Sequence, residues 1–299
     1  MKATEQAISE VPTVGKSVVS SWMELFKARL NALVLLTAMM GFYLGSTGAV
    51  DYRLMFHTLL GTSLLAAGAA ALNSWLERDL DRLMSRTEDR PLPTGRIAPD
   101  VALMLGGGMV VVGLIYLAFL VQPLTALLGA VTLVSYVCIY TPLKRVTTLN
   151  TIIGAIPGAM PPLMGWTAAY GELSIKGWAL FAILFFWQLP HFLAIAWMFR
   201  GDYARAGFKM LPVVDPEGVR TGRSAVSHTL GLLVISLFPF LYRMSGEWFL
   251  AGALVLGALF LACSIRFARR LDHASARTLF FASIIYLPLL LTILVLDKN

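Results

Sequence analysis

Apolar runs of about twenty residues recur from residue 26 almost to the end of the chain, separated by shorter polar stretches. A hydrocarbon core about 30 Å thick takes roughly 20 apolar helical residues to cross, so these runs predict transmembrane helices. Nine spans are placed at 26–48, 54–76, 101–121, 124–141, 150–170, 177–199, 224–242, 247–265 and 279–296. The fourth is short, and the fifth carries Pro157, Pro161 and Pro162. Broken helices at membrane depth need protein or a cavity to satisfy the freed backbone groups, so this pair is expected to border an interior chamber. The predicted fold is all-α, a polytopic membrane protein with about nine transmembrane helices around a central cavity. Residues 77–100 and 200–223 are expected to cap it. The domain organisation expected is a tail over 1–25 and a single transmembrane domain over 26–299.

Composition agrees with this pattern. The chain is 58% hydrophobic and 14% charged, with mean hydropathy +0.74, and no stretch is left over for a soluble domain. Its first 20 residues lack the basic start, apolar middle and small-residue cleavage site of a signal peptide. Cys138 and Cys263 lie inside predicted spans about 125 residues apart, which suggests neither a disulfide framework nor a thiolate metal site.

A net charge of +7 would suit nucleic acid, but the basic residues alternate by loop, and no nucleic-acid partner is expected. One side has Lys2, Lys16, Lys27, Arg29, Lys144 and Arg145, with five basic residues in 77–100, five in 200–223 and four in 266–277. The other has only Arg53, Lys176, Arg243 and Lys298. The positive-inside rule then puts the N-terminus and the long loops in the cytoplasm, and the membrane expected is a prokaryotic plasma (inner) membrane. An odd number of spans puts the C-terminus outside.

The stretch NSWLERDLDRLMSRTEDRPLPTGR, residues 73–96, carries acids that topology does not explain. Arg78, Arg82, Arg86, Arg90 and Arg96 suit a loop anchored to anionic headgroups, whereas Glu77, Asp79, Asp81, Glu88 and Asp89 do not. If the second helix continues past Asn73, then Asn73, Glu77 and Asp81 share one face, drifting about 40° per step. Like charges at i, i+4 repel, and a divalent cation between them removes the conflict. An oxygen-only donor set favours Mg²⁺, which is usually held by one or two carboxylates together with substrate phosphates. Spacing alone supports a diphosphate–metal site and a solvated loop about equally.

A second loop, FRGDYARAGFKMLPVVDPEG at 199–218, puts Asp202 at the same depth on the same side. Asp215, in VVDPEG, reads instead as a turn residue. His191, in WQLPHFLAIAW, lies well inside a span near the same side and is a functional candidate, set against a histidine bonded to a neighbouring helix. His57 falls near the opposite face, and His228 and His273 sit at span ends.

Together these residues resemble the UbiA-type intramembrane prenyltransferases, whose first acidic motif is N-x-x-x-D-x-x-x-D. Residues 73–96 are similar in particular to N-x-x-x-D-R-D-x-D-x-x-M-x-R-T-x-x-R-P-L of the protohaem IX farnesyltransferase, or haem O synthase, subgroup. Agreement continues in YTPLKRVTTLNTIIGAIPGAMPPLMGW at 140–166, FFWQLPHFLAIAW at 185–197 and DYARAGFKMLPV at 202–213. FKARLNALVLLTAMMG at 26–41 is like the subgroup's K-P-R start, with Ala28 for proline. The last three spans match only in character. Glu77 stands for the usual first aspartate, and Ala206 stands where many other family members carry another acid, an absence also typical of the haem subgroup.

The resemblance implies transfer of the farnesyl group of farnesyl diphosphate to the 2-vinyl group of haem B, with addition of water, giving haem O and diphosphate. It implies Mg²⁺ as cofactor, held by Asn73, Glu77, Asp81 and Asp202 as the catalytic set. Arg29, Arg78, Lys144 and Arg145 are expected at the diphosphate. Arg86 and Arg90 either join them or clamp the cap through Glu88 and Asp89. His191 is the expected haem contact, axial or to a propionate. Partners would be farnesyl diphosphate, haem B and the lipid bilayer, with handover of product to a haem A synthase or the cytochrome oxidase assembly. Competing readings are a prenyltransferase acting on an aromatic quinone precursor or chlorophyllide, and a transporter.

Overall fold

Ser17 is the N-cap of the first described helix, its hydroxyl accepting from the Ser20 amide at 3.1 Å. The structure, a computed structural model, describes residues 17–299; residues 1–16, with Lys2 and Lys16, lie outside the described residues. The stretch expected as tail therefore contains a helix, α1 (Val18–Leu25), whose Leu25 packs with Ala71, Leu92, Ile97 and Ala102.

The following helices are α2 (Ala28–Gly45), α3 (Tyr52–Asp81), α4 (Pro99–Leu120) and α5 (Pro123–Leu133). From α5 the helix widens into a π segment, Val134–Tyr140, and ends in a short turn, α6 (Thr141–Leu143). Then come α7 (Asn150–Tyr170), α8 (Ile175–Met198), the short α9 (Arg200–Arg205) and α10 (Leu211–Val214), and α11 (Val219–Ile235) with its extension α12 (Phe238–Leu241). The chain closes with α13 (Glu247–Arg270) and α14 (His273–Leu296). Among the described residues there are no strands beyond one isolated bridge, Ser245 to Lys298.

Among the described residues, eight segments are long and apolar enough to cross a membrane. The expected fifth span, α7, is 21 residues long but is not one of them, because three prolines and several small polar residues dilute it. It is also not broken. Each proline removes one i→i−4 hydrogen bond, yet α2, α3, α5 and α8 surround the helix, and fourteen of its residues are buried. Gln188 of α8 reaches across to donate to the Ala155 carbonyl at 2.8 Å. A helix held by protein on most sides needs no lipid-facing apolar coat.

Two groups of helices meet at α7 and α8. On one side α3 packs on α4, α4 on α5, and α2 on α7; on the other α8 packs on α11 and α14, and α13 on both of those. Polar side chains join helices inside the apolar cores, with Thr229 to Ser264 at 2.7 Å, Ser236 to Tyr286 at 2.9 Å and Thr125 to Thr167 at 3.0 Å. The C-terminus fastens the opposite end of the bundle. Asp297 accepts from the Phe249 amide at 2.8 Å, and Lys298 donates to the Tyr43 and Ser46 carbonyls at 2.7 and 2.8 Å.

The length of α3 positions the site. Thirty residues at a 1.5 Å rise make about 45 Å, roughly 15 Å more than the hydrocarbon core. Its last turns, from about Asn73, therefore emerge at the end of the bundle that carries the long loops.

The seam between α2 and α7 depends on close glycine contacts. A Cβ at Gly165 would collide with the Ala38 carbonyl, and one at Gly41 with the Pro162 carbonyl. In contrast, a Cβ at Gly107 on α4 meets nothing within 4 Å. Gly165→Val is expected to destabilise by about 1–3 kcal/mol or more, since backbone cannot move aside as a side chain can. Gly107→Ala should leave stability unchanged or slightly raised. Thermal unfolding in detergent checks both, and equal midpoints for the two variants would contradict the packing described.

Candidate active site

At the emergent end of α3, Asn73, Glu77 and Asp81 are all buried on one helix face, as their spacing predicts. Each is held by groups from elsewhere in the chain. Asn73 Oδ1 accepts from Lys27 Nζ at 2.6 Å and from the Tyr136 hydroxyl at 3.0 Å, while its amide donates to Thr141 Oγ1 at 3.0 Å. Glu77 Oε1 accepts from Lys144 Nζ at 2.6 Å. Both Asp81 oxygens accept from Arg90 Nη1, at 2.9 and 2.8 Å. Thr87 adds a hydrogen bond to the Asp81 carbonyl at 2.9 Å, fastening the first cap loop to the helix end.

The π segment explains how α5 serves this face. Its wider winding stacks Tyr136 on Tyr140, with centroids 5.9 Å apart, above the acids. Lys144 follows, its ammonium 4.6 Å from the Tyr140 ring and 5.7 Å from Phe208. Burial by itself would lower the pKa of this lysine. The carboxylate of Glu77, with Tyr140, Tyr136 and the Glu77 hydrogen bond, reverses that and holds it above the usual lysine range. Lys144 is therefore a permanent cation at neutral pH. Its carbonyl accepts from the Lys209 amide at 2.7 Å, tying the second cap loop to the same spot.

Asp202, on α9, is buried and lies beside a cavity of about 370 Å³ lined also by Ser85, Arg86, Met198, Phe199 and Gly201. Ser85 Oγ donates to both of its oxygens, at 2.9 and 3.1 Å, and Arg205 forms an ion pair with it. Arg86 lies against the Phe199 and Tyr203 rings and donates to the Tyr203 hydroxyl at 3.3 Å. The two cap loops are thus clasped directly to each other.

Several expected residues stand elsewhere. Arg78 turns from the cluster to lie on the Trp75 ring and donate to the Trp75 carbonyl at 2.9 Å. Arg29 and Arg145 are exposed. Arg90 pairs with Asp81, and it is Arg96 that approaches Asp89, at 3.5 Å. His191 sits in the α8–α14 seam, its ring stacked between Trp187 and Phe280 at 5.1 Å on each side, with Nδ1 paired to Ser283 Oγ at 2.7 Å. That is the helix-bonded arrangement, and a haem contact is left only to its Nε2 edge. Asp215 is the turn residue expected, accepting from the Thr221 amide and hydroxyl at 2.7 and 2.8 Å in the first turn of α11.

Lys27, Tyr136, Ser85 and Arg205 belong to the site without having been expected there. Lys27 carries a faint signal, as the first basic residue of FKAR, and Tyr136 lies one turn before Tyr140. Ser85 and Arg205 carry none.

Among the described residues, no group of three or more histidine, cysteine or carboxylate side chains could hold a metal ion by itself. The donors gathered are carboxylate and amide oxygens, with Lys144 and Arg90 paired to the two carboxylates and Lys27 to the amide. This set fits Mg²⁺ as that ion is commonly held, by one or two carboxylates completed by phosphate oxygens, and does not fit a softer metal.

The chain is 45% identical over 286 residues to a protoheme IX farnesyltransferase of Solibacter usitatus, covering 93% of this chain and 98% of the relative. It is 38% identical to one of Aquifex aeolicus, covering 97% and 99%. Among solved structures, a digeranylgeranylglyceryl phosphate synthase superposes with a TM-score of 0.80 at 15% identity, covering 93% of this chain and 98% of that one. A UbiA homolog from Archaeoglobus fulgidus bound to GPP and Mg²⁺ superposes with a TM-score of 0.64 at 19% identity, covering 92% and 99%. The model of the UbiA prenyltransferase family matches residues 34–285, and with that extent of match the chain belongs to the UbiA prenyltransferase family.

Proposed function

We propose that the chain transfers the farnesyl group of farnesyl diphosphate to the 2-vinyl group of haem B, with addition of water, yielding haem O and diphosphate. The observation that carries this reading is the buried polar face at the end of α3, where Glu77 accepts from Lys144, Asp81 from Arg90 and the Asn73 amide oxygen from Lys27. It is supported by the relatives named above and by Ala206, which departs from the acid found in many other family members and agrees with the haem subgroup.

The C1–O bond of farnesyl diphosphate breaks with both electrons leaving on diphosphate. Glu77 and Asp81, with the Asn73 amide, would hold Mg²⁺, which would supply Lewis-acid stabilisation of that leaving group, and Asp202 would act from the cap. Lys144 and Arg90, now turned to carboxylates, are the residues best placed to take up diphosphate oxygens, with Lys27 and Arg86 beside them. Tyr136 and Tyr140 wall the site with aromatic faces that favour an allylic cation, and the apolar bundle keeps water from it. The vinyl group then attacks the farnesyl C1, and water adds to the resulting cation and loses a proton. His191 is assigned to haem through its Nε2 edge. The loop-rich end is assigned to the cytoplasm by the distribution of basic residues.

Purified protein supplied with farnesyl diphosphate, Mg²⁺ and haem B should accumulate haem O, identified by its mass. Prenylation of a benzoate with no product from haem would sink the proposal in favour of a quinone-type acceptor.

Asp81→Ala and Lys144→Met should each lower kcat/KM by about 100-fold or more, as expected for groups that stabilise a leaving anion. Unchanged turnover in either would remove that residue from the site. Asp215→Ala should cost about 1–3 kcal/mol of stability, because the buried Thr221 donors lose their acceptor. Turnover per folded molecule should be unaffected, and a loss of kcat equal to that of Asp202→Ala would show that the second acidic motif includes Asp215.

A further inference from the structure

The second acidic segment is arranged differently from the first. On α3, two buried carboxylates and an amide line one face. On α9 there is one buried carboxylate, Asp202, and the next position one turn on, Ala206, is 3% exposed inside an apolar cluster with Met84, Phe208 and Met210. No acid can be offered from that position without opening the cluster. The counter-charge to Asp202 is instead supplied within its own helix, by Arg205 at i+3.

Arg205 is held by more than its acid. Nη2 donates to Ser85 Oγ at 3.2 Å, Nε reaches the Leu83 carbonyl at 3.4 Å, and Ser85 Oγ itself donates to Asp202. The guanidinium, half-exposed, thus bridges the two cap loops and pairs with Asp202, which lines the cavity together with Ser85 and Arg86. A guanidinium never loses its charge and presents several donors in a fixed fork matching phosphate oxygens. The balance at this segment is one carboxylate against two arginines, Arg205 and Arg86, which suits an anion better than a second metal ion.

We propose that Arg205 stands in for a second metal at Asp202, so that the site works with one Mg²⁺, on the α3 acids, and a fixed guanidinium facing the diphosphate from the cap. This rests on the metal–diphosphate reading given above and assigns its second cation. The consequence is a metal stoichiometry of one, with diphosphate affinity dependent on an arginine outside the first cap loop.

The test counts bound Mn²⁺ by electron paramagnetic resonance, in the presence of the unreactive farnesyl thiolodiphosphate, alongside the affinity for that analogue. The wild-type chain should bind one Mn²⁺. Arg205→Ala should still bind one while holding the analogue about tenfold more weakly, and Arg205→Lys should recover part of the loss. The double variant Arg205→Ala with Ala206→Asp should bind two. Two Mn²⁺ ions in the wild type, or unchanged analogue affinity in Arg205→Ala, would overturn the proposal. If the double variant does not fold, judged by gel filtration and circular dichroism, the wild-type count and the Arg205→Ala affinity still decide. Failure of the wild-type chain to bind either Mn²⁺ or the analogue would instead remove the underlying metal–diphosphate reading.

Discussion

Carboxylates buried at the edge of a membrane are costly unless each has a partner, and that constraint organises the loop-rich end of this protein. Glu77 is met by Lys144, Asp81 by Arg90 and Asp202 by Arg205, while Asn73 is held by Lys27, Tyr136 and Thr141. Breaking such a buried pair leaves an uncompensated charge, so the pairs are strong determinants of local geometry even where their net contribution to stability is small. They draw α1–α2, α5, the two cap loops and α9 onto the end of α3. In the proposed reaction the same cations would take up diphosphate and the same acids Mg²⁺. Binding would then amount to an exchange of partners in which no charge is left unpaired.

The bundle beneath serves this arrangement in two ways. It makes α3 long enough to carry its acid face beyond the hydrocarbon core, and it keeps the helices around it in close register through glycine contacts such as Gly165 on Ala38. The π segment of α5 is the one irregularity that the site needs, because it brings Tyr136 and Tyr140 to bear on the acids together. An apolar surround also gives the electrostatic contacts more weight than water would allow.

Much of this was legible because it is local. The acid face of α3 follows from i, i+4 spacing, and Lys144 was pointed to by the family resemblance at the end of the fourth span. Arg78 illustrates the limit of adjacency. One residue from Glu77 along a helix is about 100° around it, and the structure sends Arg78 to Trp75. Lys27, Tyr136, Ser85 and Arg205 were not legible because they reach their partners across 46 to 120 residues of chain, or act through a partner that does. The continuity of α7 through three prolines was hidden for the same reason. Its helical state is fixed by the neighbours around it and runs against its own composition.

The central claim is that the acids and cations at the end of α3 bind a metal and a prenyl diphosphate by exchanging partners. The most direct measurement is calorimetric titration of farnesyl diphosphate into the purified protein, with Mg²⁺ present and with Mg²⁺ removed by chelation. Exchange predicts tight binding only with the metal, because without it Glu77 and Asp81 keep Lys144 and Arg90 and repel the diphosphate. Equal affinity in the two titrations would contradict the account.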